Sequence, residues 1–419
     1  MTLASHTAPF DDRRPHGITG RAIGATALWG CVFISGFVIN EPAPYDIIII
    51  PVIAVWFLFG GLRFQSRLAP AFLLMTLFLA GGLLSATQAT IMEIVPLTLA
   101  VTAFLILTFI FFANLIGSDP NVLSVIRNAY IWGATIVALI GILGYFGAIP
   151  GAENFTLYGR ARGTFQDPNV FGPFLVLPIA LLTQDFLTRP LRKTLFLAPV
   201  LLILLLGVFL SFSRAAWGMT VLSMAGVAAV VFICDQNPKI RFRIISIAVA
   251  GLAVAIAGLA IALSFDSVSD VFTQRAKLVQ PYDSARIGRF ARYSHGFAMA
   301  FEAPLGIGPM QFRNFFPEDP HNVYLKGFLD YGWLGGLSYI AFTVWTLFRG
   351  FPLLFKDQNW SPMYRGAYMV FLAHVLTGVI IDTDHWRHLY MIYGILWGCF
   401  ICYEAGRARG RRRRAPVGR

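Results

Sequence analysis

The 419-residue sequence predicts an all-α polytopic membrane protein, and three observations predict it. Apolar residues make up 57% of the chain and charged residues only 13%, against roughly 45–50% and about 25% in soluble domains. Apolar runs of the length that crosses a bilayer, roughly 20 residues, recur from end to end. The charges fall between those runs and divide unequally between alternate gaps. A soluble enzyme, a disordered chain and a disulfide-stapled secreted domain are excluded. The net charge of +12 would suggest nucleic acid in a soluble protein. In a membrane protein the same excess sets orientation, so no nucleic-acid partner is expected.

Taken in order, the runs predict about 12 transmembrane helices, near 22–40, 45–61, 69–86, 94–116, 129–147, 170–187, 194–212, 215–234, 244–264, 322–348, 364–382 and 388–404. Each is helical because the bilayer offers no water to an open backbone. The first 20 residues are polar and no small-residue cleavage site follows the first run, which is expected as a retained helix. The chain therefore divides into an N-terminal tail (1–21), helices 1–9 (22–264), one long loop (265–321), helices 10–12 (322–404) and a basic tail (405–419). Cys31, Cys234, Cys399 and Cys402 sit in or at the ends of spans and read as small packing residues. Gly332 and Gly336 form a GxxxG in the tenth span, as close helix packing requires. No internal repeat and no nucleotide-binding glycine loop is found, and no cofactor is expected.

An even number of spans puts both ends on one side. That side carries 22 Lys and Arg against seven acids, a net +15, and the other carries 11 against 14, a net −3. The positive side faces the cytoplasm, with the RGRRRR tail as an anchor near anionic lipid. The outward bases are gathered. Arg160 and Arg162 lie between spans five and six, Arg214 lies in the short turn after span seven, and Arg275, Lys277, Arg286, Arg289, Arg292 and Arg313 fall in the long loop. Short outward loops avoid Arg, so Arg160, Arg162 and Arg214 imply an anionic partner. Guanidinium suits phosphate because its planar fork donates two hydrogen bonds at once.

Within the long loop the pattern predicts an amphipathic helix over 284–302, with Arg286, Arg289 and Tyr293 on one face and Ile287, Phe290, Phe297 and Phe301 on the other. Such a helix lies on the membrane–water boundary, and lipid phosphates are the simpler partner of any single Arg there. Pro320 is expected to start the tenth span just before His321. The N-terminal end of that helix dipole would disfavour a protonated imidazole and suit His321 to accepting a proton from a hydroxyl; a histidine that merely caps the helix is the alternative. Asp382, Asp384, His385 and His388 cluster in IIDTDHWRH. Two carboxylates and two imidazoles are donors of the kind that hold a divalent metal, but an ordinary polar loop is the simpler reading and no metal is expected.

Three segments, RARGTFQDPNVFG, FSRAAWG and HNVYLKGFLDYGWLGG, together resemble the O-antigen ligase and O-antigen polymerase superfamily over roughly residues 130–400. Members are integral-membrane glycosyltransferases that pass a glycan from undecaprenyl diphosphate to an acceptor hydroxyl at the periplasmic face of the bacterial inner membrane. The family's R-x-x-G-x-F-x-x-P-N pattern falls on Arg160, Gly163, Phe165, Pro168 and Asn169, its Ser-Arg pair on Ser213 and Arg214, and its His-Asn pair on His321 and Asn322. The Arg that opens the loop helix corresponds best to Arg286, and Asp330 stands where such stretches usually carry Glu. The resemblance implies that Arg160, Arg214 and Arg286 bind the donor diphosphate and that His321 is the catalytic base. Arg162, Arg289, Asn322 and Asp330 would support them, with no metal or cofactor. It also implies a lipid-linked glycan donor, a lipid A–core or glycan acceptor, and surrounding membrane lipids. Polymerases often carry R-x10-G motifs in two long outward loops. Here only one outward loop exceeds 25 residues, which favours a ligase of lipopolysaccharide biosynthesis over an O-antigen or exopolysaccharide polymerase. A multi-span transporter or flippase would show repeated halves and mid-membrane charges, whereas no repeat is found and the spans are nearly free of charge through their centres.

Overall fold

A computed structural model describes residues 18–59, 64–276 and 288–414. In chain order the helices are α1 (Ile18–Ile34), α2 (Pro44–Leu58), α3 (Ala69–Ala86), α4 (Val95–Ser118), α5 (Val122–Tyr145), α6 (Pro168–Phe174), α7 (Val176–Thr188), the single turn α8 (Leu191–Thr194), α9 (Ala198–Leu210), α10 (Arg214–Cys234), α11 (Pro238–Ala262), α12 (Asp266–Ala276), α13 (Arg289–Glu302), α14 (Val323–Gly350), α15 (Ser361–Thr377) and α16 (Arg387–Arg414). A two-stranded hairpin of β1 (Thr156–Leu157) and β2 (Arg160–Ala161) interrupts them. The chain is an all-α polytopic membrane protein. Among the described residues nine helical stretches are long and apolar enough to cross a membrane. The shorter α1 and α2, and the 17-residue α15, stand where the other three spans were expected.

The boundaries differ from the sequence reading where local chemistry intervenes. Span six is two helices, α6 and α7, broken at Leu175 after Pro173, because a proline inside a helix cannot donate back to its preceding turn. The tenth span starts at Val323 and not at Pro320. Asn322 is its N-cap, its Oδ1 accepting from the backbone N–H groups of Tyr324 and Leu325 at 3.1 Å each, which satisfies two of the donors a helix start leaves open. Of the expected 284–302 helix, 289–302 is helical as α13, and 284–287 lie outside the described residues.

The longest packed pairs are α4 with α16 and α3 with α14, with α10 seated between α7 and α15. α3 and α14 meet closely: a Cβ on Gly81 would stand 2.5 Å from the Gly335 N and the Tyr331 O. Gly332 is not a packing residue of this kind. Its φ of 65° breaks α14 one third of the way along. The break frees backbone groups, and the loop after α13 takes them up. Ile307 N donates to the Leu329 carbonyl at 2.8 Å and Trp333 N to the Pro304 carbonyl at 2.9 Å. Irregular backbone inside a spanning helix is tolerated only when protein covers it in this way.

One end of the bundle is a continuous layer of loops. Thr164 Oγ1 donates to the Gly36 carbonyl at 2.6 Å and Val38 N to the Thr164 carbonyl at 2.9 Å. Arg387 grips Asp46 with Nε and Nη2 at 2.7 and 2.6 Å. Gln311 clasps the α3–α4 loop, its Oε1 accepting from Thr90 N, Thr90 Oγ1 and Ile91 N while its Nε2 donates to the Ile91 carbonyl. The 36–46, 87–94, 156–167, 303–322 and 378–387 segments are thereby tied to one face, and that face carries the expected site residues.

Candidate active site

Two groups of residues emerge on this face. The first is built on the hairpin. Tyr158 and Gly159 have φ of 51° and 69°, the left-handed pair that a two-residue turn between antiparallel strands needs. The turn delivers Arg160 beneath it as a buried residue. Its Nε donates to the Ser211 carbonyl and its Nη2 to Asn169 Oδ1, both at 2.8 Å. The R-x-x-G-x-F-x-x-P-N stretch is therefore one local machine. Gly163 has φ of 53°, and a Cβ there would meet Phe171 at 2.9 Å and the Val137 carbonyl at 3.0 Å. Phe165 is buried against Phe174. Asp167 caps α6 by accepting from Asn169 N at 2.7 Å, with Pro168 at the first helical position. Arg162 differs from Arg160: it holds the carbonyls of Asn154 and Gln166 at 3.2 Å each and staples its own loop.

The Arg160–Ser211 bond brings the second motif to the first. Ser213 caps α10, and Arg214 is that helix's first residue. A cation at a helix N-terminus opposes the dipole, so the helix start itself does not call for Arg214. Trp217, Phe209 and Phe272 of α12 form a mutually contacting cluster of three rings, which brings the start of the long loop to this region.

The second group surrounds His321. Its backbone is left-handed, φ 53°, an uncommon conformation for a non-glycine residue. Its carbonyl accepts from the Tyr293 hydroxyl of α13 at 3.0 Å, and the same hydroxyl reaches the Val379 carbonyl at 3.0 Å. Its ring lies between two carboxylates, Nδ1 3.5 Å from Asp382 Oδ2 and Nε2 3.5 Å from Glu318 Oε2. The helix N-terminus expected to disfavour a protonated ring is thus opposed by two nearby negative charges. Glu318 also pairs with Arg292 at 3.0 Å. Burial pushes the Glu318 carboxyl up, but the nearby Arg292 guanidinium, with His321, outweighs it and leaves it below the ordinary glutamate value.

Below them lies a buried polar string. Lys326 Nζ sits 2.7 Å from Asp384 Oδ2 and 3.1 Å from Asp330 Oδ2. Asp384 also pairs with His385 Nδ1 at 2.8 Å, and His385 Nε2 reaches Thr102 Oγ1 at 3.2 Å. Burial raises the Asp384 carboxyl, but Lys326 and His385 overcome it and hold it far below the carboxylate range. The Asp382–His388 cluster is accordingly divided among partners: Asp382 to His321, Asp384 and His385 to Lys326 and Thr102, and His388 to the buried His374, Nε2 to Nε2 at 3.2 Å. Among the described residues no group of three or more His, Cys, Asp and Glu is arranged to hold a metal ion.

The structure thus brings Arg160 to the turn before Arg214, and His321 to Tyr293, Glu318 and Asp382. The loop layer joins the two groups through Thr164 to the 36–38 stretch, and through Asp46 to Arg387 beside Asp382. Asn322 is a helix cap and Asp330 a partner of Lys326. Arg286 lies outside the described residues; Arg289 opens α13, and its side chain is not among those described. Sequence reasoning did not single out Arg292, Glu318 or Lys326 for roles, and it gave Asp382 only to the metal cluster. Lys326 carried a signal, a charge in the first turns of an apolar span.

Residues 199–340 match a family model described as O-Antigen ligase. No curated protein matches the chain. The matched stretch runs from α9 into α14 and contains both Ser213-Arg214 and His321-Asn322. Over that stretch, about a third of its length, the chain is similar to the O-antigen ligase family.

Proposed function

We propose that the protein is an O-antigen ligase-like glycosyltransferase that moves a glycan from undecaprenyl diphosphate to a hydroxyl of lipid A–core at the periplasmic face of the inner membrane. The family match across Arg214 and His321 is the observation that carries this reading. The geometry around His321 supports it. Asp382 at Nδ1 favours the tautomer with the proton on that nitrogen and raises the basicity of Nε2.

In the reaction the acceptor oxygen attacks the anomeric carbon and forms the new C–O bond. The bond from that carbon to the phosphate oxygen breaks, and its electron pair leaves with undecaprenyl diphosphate. The acceptor's proton passes to His321 Nε2. Arg160, Arg214 and Arg286 stabilise the negative charge that grows on the leaving diphosphate. Both substrates are lipid-anchored and arrive sideways in the bilayer.

The test is glycan transfer in membranes supplied with lipid-linked donor. His321→Ala is expected to lower turnover by about 10²–10⁴-fold, the range of general base catalysis, and Arg214→Ala to lower it by a comparable order. Unchanged transfer by either variant would refute the assignment. Deleting the gene and examining surface glycolipid by gel banding separates ligase from polymerase. Loss of all capped lipid A–core supports the ligase, whereas capped core with altered repeat number identifies a polymerase.

A further inference from the structure

The burial of one described outward arginine, Arg292, demands an account. Its side chain is only 4% exposed, yet its ion-pair partner Glu318 is 62% exposed. A charge taken out of water is costly unless it is paired and hydrogen-bonded. The pairing here is incomplete: among the described residues Arg292 Nε and Nη1 make no hydrogen bond, although Nη1 stands 3.0 Å from Glu318 Oε2. The other well-placed arginines contrast with it. Arg162 and Arg387 direct their nitrogens at backbone carbonyls or carboxylates in good geometry. The same Glu318 oxygen lies 3.5 Å from His321 Nε2, so one exposed carboxylate bridges a buried guanidinium and the candidate base.

We propose that Arg292 binds a phosphate of the lipid-linked donor and that Glu318 is the exchangeable counter-ion this phosphate displaces. The inference rests on the glycosyltransferase reading above and adds to it a fourth arginine and a reason for Glu318. A phosphate supplies several acceptor oxygens where Glu318 supplies one in imperfect geometry, and it delivers charge-assisted hydrogen bonds to the orphaned nitrogens. Its arrival moves Glu318 off Nε2, so donor binding and exposure of the base are coupled. Glu318 and Asp382 both face His321, with the Tyr293 hydroxyl on its carbonyl. Removing the Glu318 charge therefore withdraws one of two carboxylates that favour imidazolium. Glu318 is a positioning residue in this scheme.

The experiment measures binding of undecaprenyl diphosphate, without glycan, to the purified full chain in nanodiscs, with phosphatidylglycerol as the competing phosphate source. Wild type is expected to bind the diphosphate in preference to phosphatidylglycerol. Arg292→Gln is expected to weaken it about tenfold or more, and Arg292→Lys to restore part of the loss. Glu318→Gln, which keeps the side chain's size and removes its charge, is expected to bind more tightly and to move the acid limb of the transfer rate to lower pH. Arg292→Gln binding like wild type, Glu318→Gln binding no tighter, or phosphatidylglycerol competing equally would each overturn the inference. Absence of diphosphate binding by wild type would instead defeat the glycosyltransferase reading itself.

Discussion

At the scale of single residues, the buried Lys326–Asp384 pair sets the position of the loop that carries Asp382. Lys326 stands in the first turns of α14 and Asp384 in the loop before α16, so their 2.7 Å contact ties two distant parts of the chain. Breaking a buried pair from one side leaves the other charge uncompensated and costs about 3–5 kcal/mol. Asp384→Asn is therefore expected to lower thermal stability in detergent by about that amount. The sign of its pH dependence follows from the depressed Asp384 carboxyl. Its stabilisation is complete above the unfolded value, about 3.9 for aspartate, and is lost only as pH falls through the much lower folded value. The advantage of wild type over Asp384→Asn should hold constant across about pH 5–7. An advantage that titrated away within that window would mean that the pair does not hold Asp384 ionised. None of this was legible in the sequence, where Lys326 and Asp384 are 58 positions apart. Arg160, Arg214 and His321 were legible because each sits in a local motif whose neighbours cap, turn or brace it.

At the scale of elements, the break in α14 decides how the long loop meets the bundle. The sequence shows Gly332 and Gly336 at helix-packing spacing, and Gly81 against Gly335 confirms that α3 and α14 approach closely. What periodicity does not reveal is a glycine with φ of 65° inside an apolar run, because the freed groups are satisfied by residues 304 and 307, outside the helix. A Cβ on Gly332 would stand 2.7 Å from the Leu305 carbonyl oxygen. Gly332→Ala is therefore expected to cost about 1–3 kcal/mol or more from backbone strain alone and to detach the 303–308 stretch. Gln311→Ala should loosen the same loop from the opposite side by removing its bonds to Thr90 and Ile91. The readout for both is hydrogen exchange at Ile307 and Trp333. Protection equal to wild type in both variants would show that the loop is held by other contacts.

At the scale of the whole molecule, the alternation of charge between gaps predicts that one face carries the expected site residues, and the loop layer built from Thr164, Asp46, Arg387 and Gln311 is the end of the bundle where Arg160 and His321 lie. The sequence carried this because orientation is an additive property of many loops, whereas the contacts joining the loops depend on which helices become neighbours. Orientation itself is open to direct measurement. Tyr158, at the hairpin tip, is 82% exposed on the site face, and Asp357, between α14 and α15, is exposed at the other. In a background with the four native cysteines replaced, a membrane-impermeant maleimide should label Tyr158→Cys in spheroplasts and Asp357→Cys only after the membrane is opened. The excess of Lys and Arg beside Asp357 requires that result if the positive-inside rule governs this chain. Labelling in the reverse order would place the arginines and His321 on the cytoplasmic side. A donor already moved to the periplasmic leaflet could not reach them there, so the proposed chemistry would fail together with the topology.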